Sequence, residues 1–253
     1  MFSYLKEEEL LFSQDAFGMH LATSCLFADE NCEATMAHEF KTYFANILTP
    51  YSGQILKLLE SFGQLKLPVK IVAPDHGPLW RGEGISHALE QYRIWSEQKP
   101  EARALVVYDT MWKSTASMAN SIADGIRQHG GIKVDVIELS DSFRSDVATE
   151  LLCAGIFAVG SPTLNNNLFP RTADALTYLK GLRFKNLLGA AFASYGWSGE
   201  SLGQINDALK AMDVELLSEG IKVKYVPTAE DLSKCFDLGQ QLAAALKNKL
   251  AAK

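Results

Sequence analysis

The chain has 253 residues, 47% of them hydrophobic and 21% charged, enough to bury a sizeable core in one large or two ordinary domains. Its formal charge of −6 argues against nucleic acid or an anionic membrane as the main partner, and leaves small molecules or proteins. Cys25, Cys32, Cys153 and Cys235 have no CxxC spacing, the start "MFSYLKEEELLFS" lacks the features of a signal peptide, and no apolar run reaches membrane-spanning length, so a reduced cytoplasmic setting fits best.

In the first hundred residues, "FSYL" and "LLFSQDAFGMH" read as short apolar strands, the second ending at Asp15, and "VKIVAPDHGPLWRG" as another ending at Asp75-His76-Gly77-Pro78. Carboxylate and imidazole at strand ends beside turn residues suit iron, which makes Asp15 and His76 candidate metal ligands. On spacing alone a cap for Asp15 and a satisfied loop histidine for His76 are the preferred readings. "GEGISHALEQYRIWSEQKPEA" follows as an amphipathic helix and a Lys99-Pro100 linker, because proline disfavours helix at the residue before it. This divides the chain into 1–82, a connecting stretch 83–101, and 102–253.

From 102 onward, β-branched apolar runs alternate with helical patterns, the mark of βαβ units and a parallel sheet. Strands are expected at 104–108, 133–139, 155–160, 188–194 and 215–223. Helices are expected at 115–129, 145–152, 171–181 and 200–212, with a last one near 229–249. The fold class is α/β, a doubly wound five-stranded parallel sheet. Ligands of such sheets sit at the carboxyl ends of the strands where the winding reverses, so the loops after strands one, three and four carry the site.

The first loop, "DTMWKST", enters a helix, whose unpaired N–H groups and positive dipole end suit a phosphate, and Thr110, Ser114 and Thr115 add hydroxyl donors. Neither the P-loop pattern nor GxGxxG is present, so a single terminal monophosphate fits better than a polyphosphate. An ordinary helix cap is the competing reading of this loop taken alone. The second loop, "SPTLNNNLFP", puts Ser161, Pro162, Thr163 and Leu164 before three amides, Asn165, Asn166 and Asn167, suited to the polar edge of a heterocycle. The third, "SYGWSGES", sets Tyr195 and Trp197 among Ser194, Gly196, Ser198 and Gly199. Aromatic walls with convergent polar groups are what a planar cofactor needs.

The three loops resemble the flavin-mononucleotide (FMN) loops of flavodoxins. The resemblance makes residues 110–115 (with Met111, Trp112 and Lys113), 161–166 and 194–199 the cofactor-binding positions. The flavodoxin phosphate loop usually has glycine where Lys113 stands and a hydroxyl residue where Trp112 stands, but "YDTMWKST" is similar to the corresponding loop of flavodiiron proteins. "FSQDAFGMHL", "YFANILTPYSGQILKLLE" and "IVAPDHGPLWR" look like consecutive pieces of the metallo-β-lactamase-like half of that family, so the resemblance covers essentially the whole chain. It implies a flavodoxin-like domain preceded by the end of a metallo-β-lactamase-like domain, with FMN and a di-iron centre as cofactors. It also implies an aspartate at Asp15 that bridges two irons, a terminal ligand at His76, a rubredoxin-like electron donor, oxygen or nitric oxide as substrate, and a head-to-tail dimer.

The family's HxExDH motif occurs nowhere in these residues, and His38, His87 and His129 lack the spacing to replace it. Two ligands cannot hold two irons. Residues before about 81 are therefore expected either to pack differently from the family or to need another chain that supplies the missing half. The expected activity is an FMN-dependent electron-transfer oxidoreductase of flavodiiron type, enzymatic if another chain completes the metal site. The alternatives are an electron carrier or partner-docking module without metal chemistry, and a non-catalytic remnant. A quinone-reducing flavodoxin relative would leave the first hundred residues unexplained.

Overall fold

The computed structural model describes residues 2–252 and resolves two compact units, one up to Gln98 and one from Lys99 onward. In the first, strands β1 (Ser3–Leu5), β2 (Leu10–Gln14), β3 (Ile71–Pro74) and β4 (Trp80–Arg81) form a four-stranded sheet in that order, with β2 and β3 parallel and the outer pairs antiparallel. Helices α1 (Glu33–Tyr43), α2 (Ser52–Leu65) and α3 (Glu83–Glu97) complete it. The core is aromatic. Phe40 stacks on Tyr92 and lies against Trp80 and Trp95, with Phe44 packed on the same two helical rings. The polar tips of these rings are satisfied, as burial requires: Trp80 Nε1 donates to the Phe17 carbonyl at 2.7 Å, and the Tyr92 hydroxyl accepts from Phe17 N at 2.6 Å. This packing puts α3 inside the first unit rather than in a separate connecting stretch, because Ala88, Tyr92 and Trp95 are its buried face.

The second unit is built on β5 (Arg103–Tyr108), β6 (Lys133–Glu138), β7 (Ile156–Leu164), β8 (Asn167–Leu168), β9 (Leu188–Tyr195), β10 (Glu215–Leu216) and β11 (Ile221–Lys224). The main path runs β10-β9-β7-β5-β6, with β11 also paired to β9, all parallel. The central strands β5, β7 and β9 are buried on both faces, which is why they read as near-continuous apolar runs. Between them run α4 (Ser114–Gln128), α5 (Arg144–Leu151), α6 (Pro170–Leu182) and α7 (Glu200–Lys210), and α8 (Ala229–Ala251) closes the chain. Helices α4 and α8 pack closely enough that a Cβ on Gly125 would lie 2.1 Å from the Phe236 carbonyl oxygen, and one on Gly239 2.1 Å from that of Ile122. Together they cover one face of the sheet over Val106, Ala158 and Phe192.

Two details differ from the sequence reading. The fifth strand, expected as one piece over 215–223, is two short strands with Gly220 at φ +86° between them, where a Cβ would meet the Ala191 carbonyl at 2.3 Å. The second candidate loop is not open: β7 continues to Leu164 and turns through Asn165 (φ +50°) and Asn166 (φ +60°) into β8. Two successive left-handed residues make the tight two-residue hairpin that asparagine favours.

Candidate functional site

The chain leaves β5 for β6 on one side and returns for β7 on the other, so the winding reverses between β5 and β7 and opens a crevice at their carboxyl ends. The first loop enters there. Asp109, 5% exposed, accepts from Thr110 N at 2.8 Å through Oδ1. Burial and the charge of Glu138 hold its carboxyl above the ordinary aspartate range, against the Thr110 N–H and Arg171, which lower it. Lys113, at φ +67°, is the N-cap of α4. Fully buried Thr115 hydrogen-bonds Ser194 across the crevice, Oγ to Oγ at 2.8 Å, so this predicted donor fastens the first loop to the third. The Thr110 hydroxyl is different. It is buried and has no hydrogen-bond partner.

The second loop is held by its own polar groups and by α7. Asn167 Nδ2 donates to the Asn165 carbonyl, Gln204 takes Leu168 N and donates to the Asn166 carbonyl and Asn167 Oδ1, and Thr163 pairs with Ser201 at 2.6 Å. Ser161 Oγ accepts from Phe169 N and donates to the Pro162 carbonyl. The Asn167 amide therefore fixes the hairpin instead of facing a ligand, and Ser198 Oγ donating to Asn166 Oδ1 ties hairpin to third loop. Leu164 is exposed at the end of β7, and Gly199 is the N-cap of α7.

These pieces enclose a cleft of about 320 Å³. Met111, Trp112 and Ser114 come from the first loop, Pro162 and Thr163 from the second, and Ser194, Tyr195 and Gly196 from the third. A second hollow, about 410 Å³, lies between Asn165, Asn166, Trp197 and Ser198 and shares Thr163 with it. Trp112 is 84% and Trp197 96% exposed, a large apolar cost in water unless something covers them. A roomier hollow of about 760 Å³ is lined by Ser140, Phe143, Arg144 and Arg171 and contains none of the predicted site residues.

Tyr225 and Val226 also line the cleft and were missed from sequence. Tyr225 N donates to the Tyr195 carbonyl at 2.7 Å, and its ring lies 3.3 Å from where a Gly196 Cβ would be, so glycine there lets the ring close the wall. The signal was available: the residue follows β11, and ligand-bearing loops follow strands. Lys222 Nζ lies 5.4 Å above the Tyr195 ring.

The other candidate centre lies in the first unit. The parallel pairing of β2 with β3 brings Asp15 and His76 together, Oδ1 to Nε2 at 3.4 Å, both about half exposed. Gly77 follows at φ +80°, where a Cβ would lie 2.7 Å from Met19. Tyr43 donates to Asp15 Oδ1 at 3.2 Å, and burial, then the Asp15 charge, pushes its phenol well above its ordinary value. The His20 ring stands 5.5 Å from that of His76. Among the described residues, no group of three or more His, Cys, Asp or Glu side chains is arranged to hold a metal ion. Asp15 and His76 thus fall short of the donor set that two irons need. No helix among the described residues is long and apolar enough to cross a membrane.

The flavodoxin family model matches residues 106–239, more than half of the chain and all three loops. The chain belongs to the flavodoxin family. Beyond the flavodoxin segment it is a relative of flavodiiron proteins along its whole length. It is 42% identical to the nitric oxide reductase of Moorella thermoacetica over 97% of this chain and 61% of that protein, and 38% identical to the rubredoxin-oxygen oxidoreductase of Megalodesulfovibrio gigas over 100% and 63%. Among solved structures, rubredoxin oxygen:oxidoreductase from Desulfovibrio gigas superposes with a TM-score of 0.96 at 37% identity, covering 99% of this chain and 63% of that one. The flavodiiron protein from Giardia intestinalis gives 0.91 at 34%, covering 98% and 62%. The chain thus spans a little under two thirds of the length of these relatives. Likeness at this level over 99% of the chain speaks against one arm of the expectation for residues before about 81, that they pack differently from the family, and does not test the other, that another chain supplies the missing half.

Proposed function

We propose that this flavodoxin-family chain binds FMN in the 320 Å³ cleft and serves as the electron-transfer portion of a flavodiiron-type oxidoreductase. The observation that carries the reading is the Thr110 hydroxyl, buried and without a partner, at the crevice where a helix N-terminus meets three converging loops. A buried donor without a partner costs about 1–3 kcal/mol, which a bound phosphate oxygen would recover. Thr110, Ser114 and the backbone N–H groups at the start of α4 would hold the phosphate. Trp112, Tyr195 and Tyr225 would flank the ring, Pro162, Thr163 and Gly196 would border its polar edge, and Trp197 would cover the rim. When bound, the flavin supplies the redox chemistry, while the protein orients it and limits its contact with water.

Oxygen or nitric oxide as terminal acceptor and a rubredoxin-like donor belong to the same proposal and are supported by the names of the relatives; a head-to-tail dimer and a cytoplasmic setting are proposed with them on the sequence reading alone. The first unit we read as the end of a metallo-β-lactamase-like domain. No step is assigned to iron, because Asp15 and His76 are too few. A second reading is favoured by one observation: among the described residues, no third His, Cys, Asp or Glu joins that pair in an arrangement that could hold a metal ion. The chain would then act as a flavodoxin-like carrier. Iron and flavin content of the purified protein separates the two: stoichiometric FMN with a full iron complement supports the oxidoreductase, FMN with negligible iron supports the carrier, and failure to bind FMN on titration overturns both.

A further inference from the structure

Lys113 is hard to account for structurally. Its backbone is left-handed, at φ +67° and ψ 0°, a conformation that favours glycine and costs a residue with a Cβ about 1–2 kcal/mol. Other left-handed residues include the helix C-caps Lys66, Gln98 and Arg183 and the hairpin Asn165-Asn166, settings in which this conformation is ordinary, and further non-glycine positions outside them such as Phe17 and Tyr225. Lys113 stands instead at the opening of α4, and its side chain makes no capping hydrogen bond. Its carbonyl accepts from Ser117 N at 2.9 Å and from Ser117 Oγ at 3.0 Å, which anchors the strained backbone. Outliers of this kind concentrate where a side chain has work at a site.

The charges around it indicate what that work is. Two carboxylates face the phosphate loop, buried Asp109 and, on β6, Glu138. Both would repel a phosphate, and Arg171 on α6 is engaged with the Leu139 carbonyl and the Asp109 side of the loop. Lys113 is the cation of the loop itself. Its ammonium lies 3.8 Å from Glu138 Oε1, with the side chain 76% exposed. Glu138 is already held by the Tyr108 hydroxyl at 3.0 Å and the Ser140 hydroxyl at 3.1 Å, so it does not need the lysine. An exposed pair at this distance is worth little and exchanges readily.

We propose that Lys113 is the phosphate counter-ion of the cleft, leaving Glu138 when FMN binds, and that it sets the preference for FMN over riboflavin. This rests on the FMN reading above. The test is titration of the flavin-free full chain with FMN and with riboflavin, followed by fluorescence quenching at low and high salt. Lys113→Met should weaken FMN about five- to tenfold at low salt and flatten its salt dependence, with riboflavin unchanged. Glu138→Gln should tighten FMN severalfold, and the gain should shrink, leaving only the relief of direct repulsion, in the double variant with Lys113→Met. Lys113→Gly, which relaxes the backbone, should bind FMN as poorly as Lys113→Met. Recovery of binding in Lys113→Gly would make strain the cause and overturn the proposal, as would equal loss of both flavins or no loss at all. If the unaltered chain takes neither flavin, the FMN reading falls and this proposal with it; if it takes both alike, only the lysine's role falls.

Discussion

The cleft proposed for FMN and the Asp15–His76 pair are both built at strand ends, yet they differ in how many groups converge on them. The cleft draws on three loops and the segment after β11, cross-tied by Thr115–Ser194, Thr163–Ser201 and Ser198–Asn166. The pair has one carboxylate and one imidazole in contact, half in water, with a tyrosine behind. A cleft whose walls brace one another is preorganised before any ligand arrives; two half-exposed side chains in contact are not.

The largest expected effect comes from the scaffold of the cleft. Gly125→Ala forces a methyl to 2.1 Å of the Phe236 carbonyl, where backbone cannot yield, so α4 is pushed off α8 and the phosphate loop moves with it. A loss of roughly 3 kcal/mol is expected, together with weakened flavin binding, measured by denaturant titration and flavin titration. Gly77→Ala is the matching change at the other site. Strain at φ +80° and a contact with Met19 at 2.7 Å should cost about 2 kcal/mol, and flavin affinity should stay unchanged. A fall in flavin affinity here would mean that the two regions are energetically coupled.

Thr115→Val removes the tie between first and third loops and leaves the Ser194 hydroxyl buried without a partner. A loss of about 1–2 kcal/mol is expected, with a clear drop in FMN affinity. Asp109→Asn tests the buried carboxylate. Its pKa is raised in the folded protein, so the folded state holds its proton to higher pH than the unfolded chain, and stability attributable to it falls as pH rises from about 4 through the folded value. The variant should therefore be the more stable protein at neutral pH, with the difference closing below about pH 4 in melts across pH. The smallest effect is expected for His76→Ala, whose half-exposed pairing should change stability by no more than about 1 kcal/mol and leave FMN affinity unaltered. An unfolded variant would show that the pair is structural.

Much of this was legible in the residues. The two-face apolar runs of β5, β7 and β9 identify a parallel sheet without any contact information, and the strand-end rule then points to the three loops that line the cleft. Where the reading failed, local pattern did not contain the answer. Asn167 looks like a ligand donor until the β7–β8 hairpin turns its amide onto Asn165, and Tyr225 is hidden because Gly220 breaks the last strand and shifts its end. Helix α3 reads as a connector until its aromatic face is found among Phe40, Phe44 and Trp80.

The sequence by itself determined the α/β class, the order of elements and the chemistry of the loops, because hydrophobic period and turn residues act over a few neighbouring positions. Tertiary structure alone decided which hydroxyls are free and which are ties. Thr110 and Thr115 are five residues apart and chemically identical, yet one is buried without a partner and the other bonds Ser194, 79 residues away. Hydrogen-bond satisfaction depends on what the fold brings within about 3 Å, and that distance is not written along the chain.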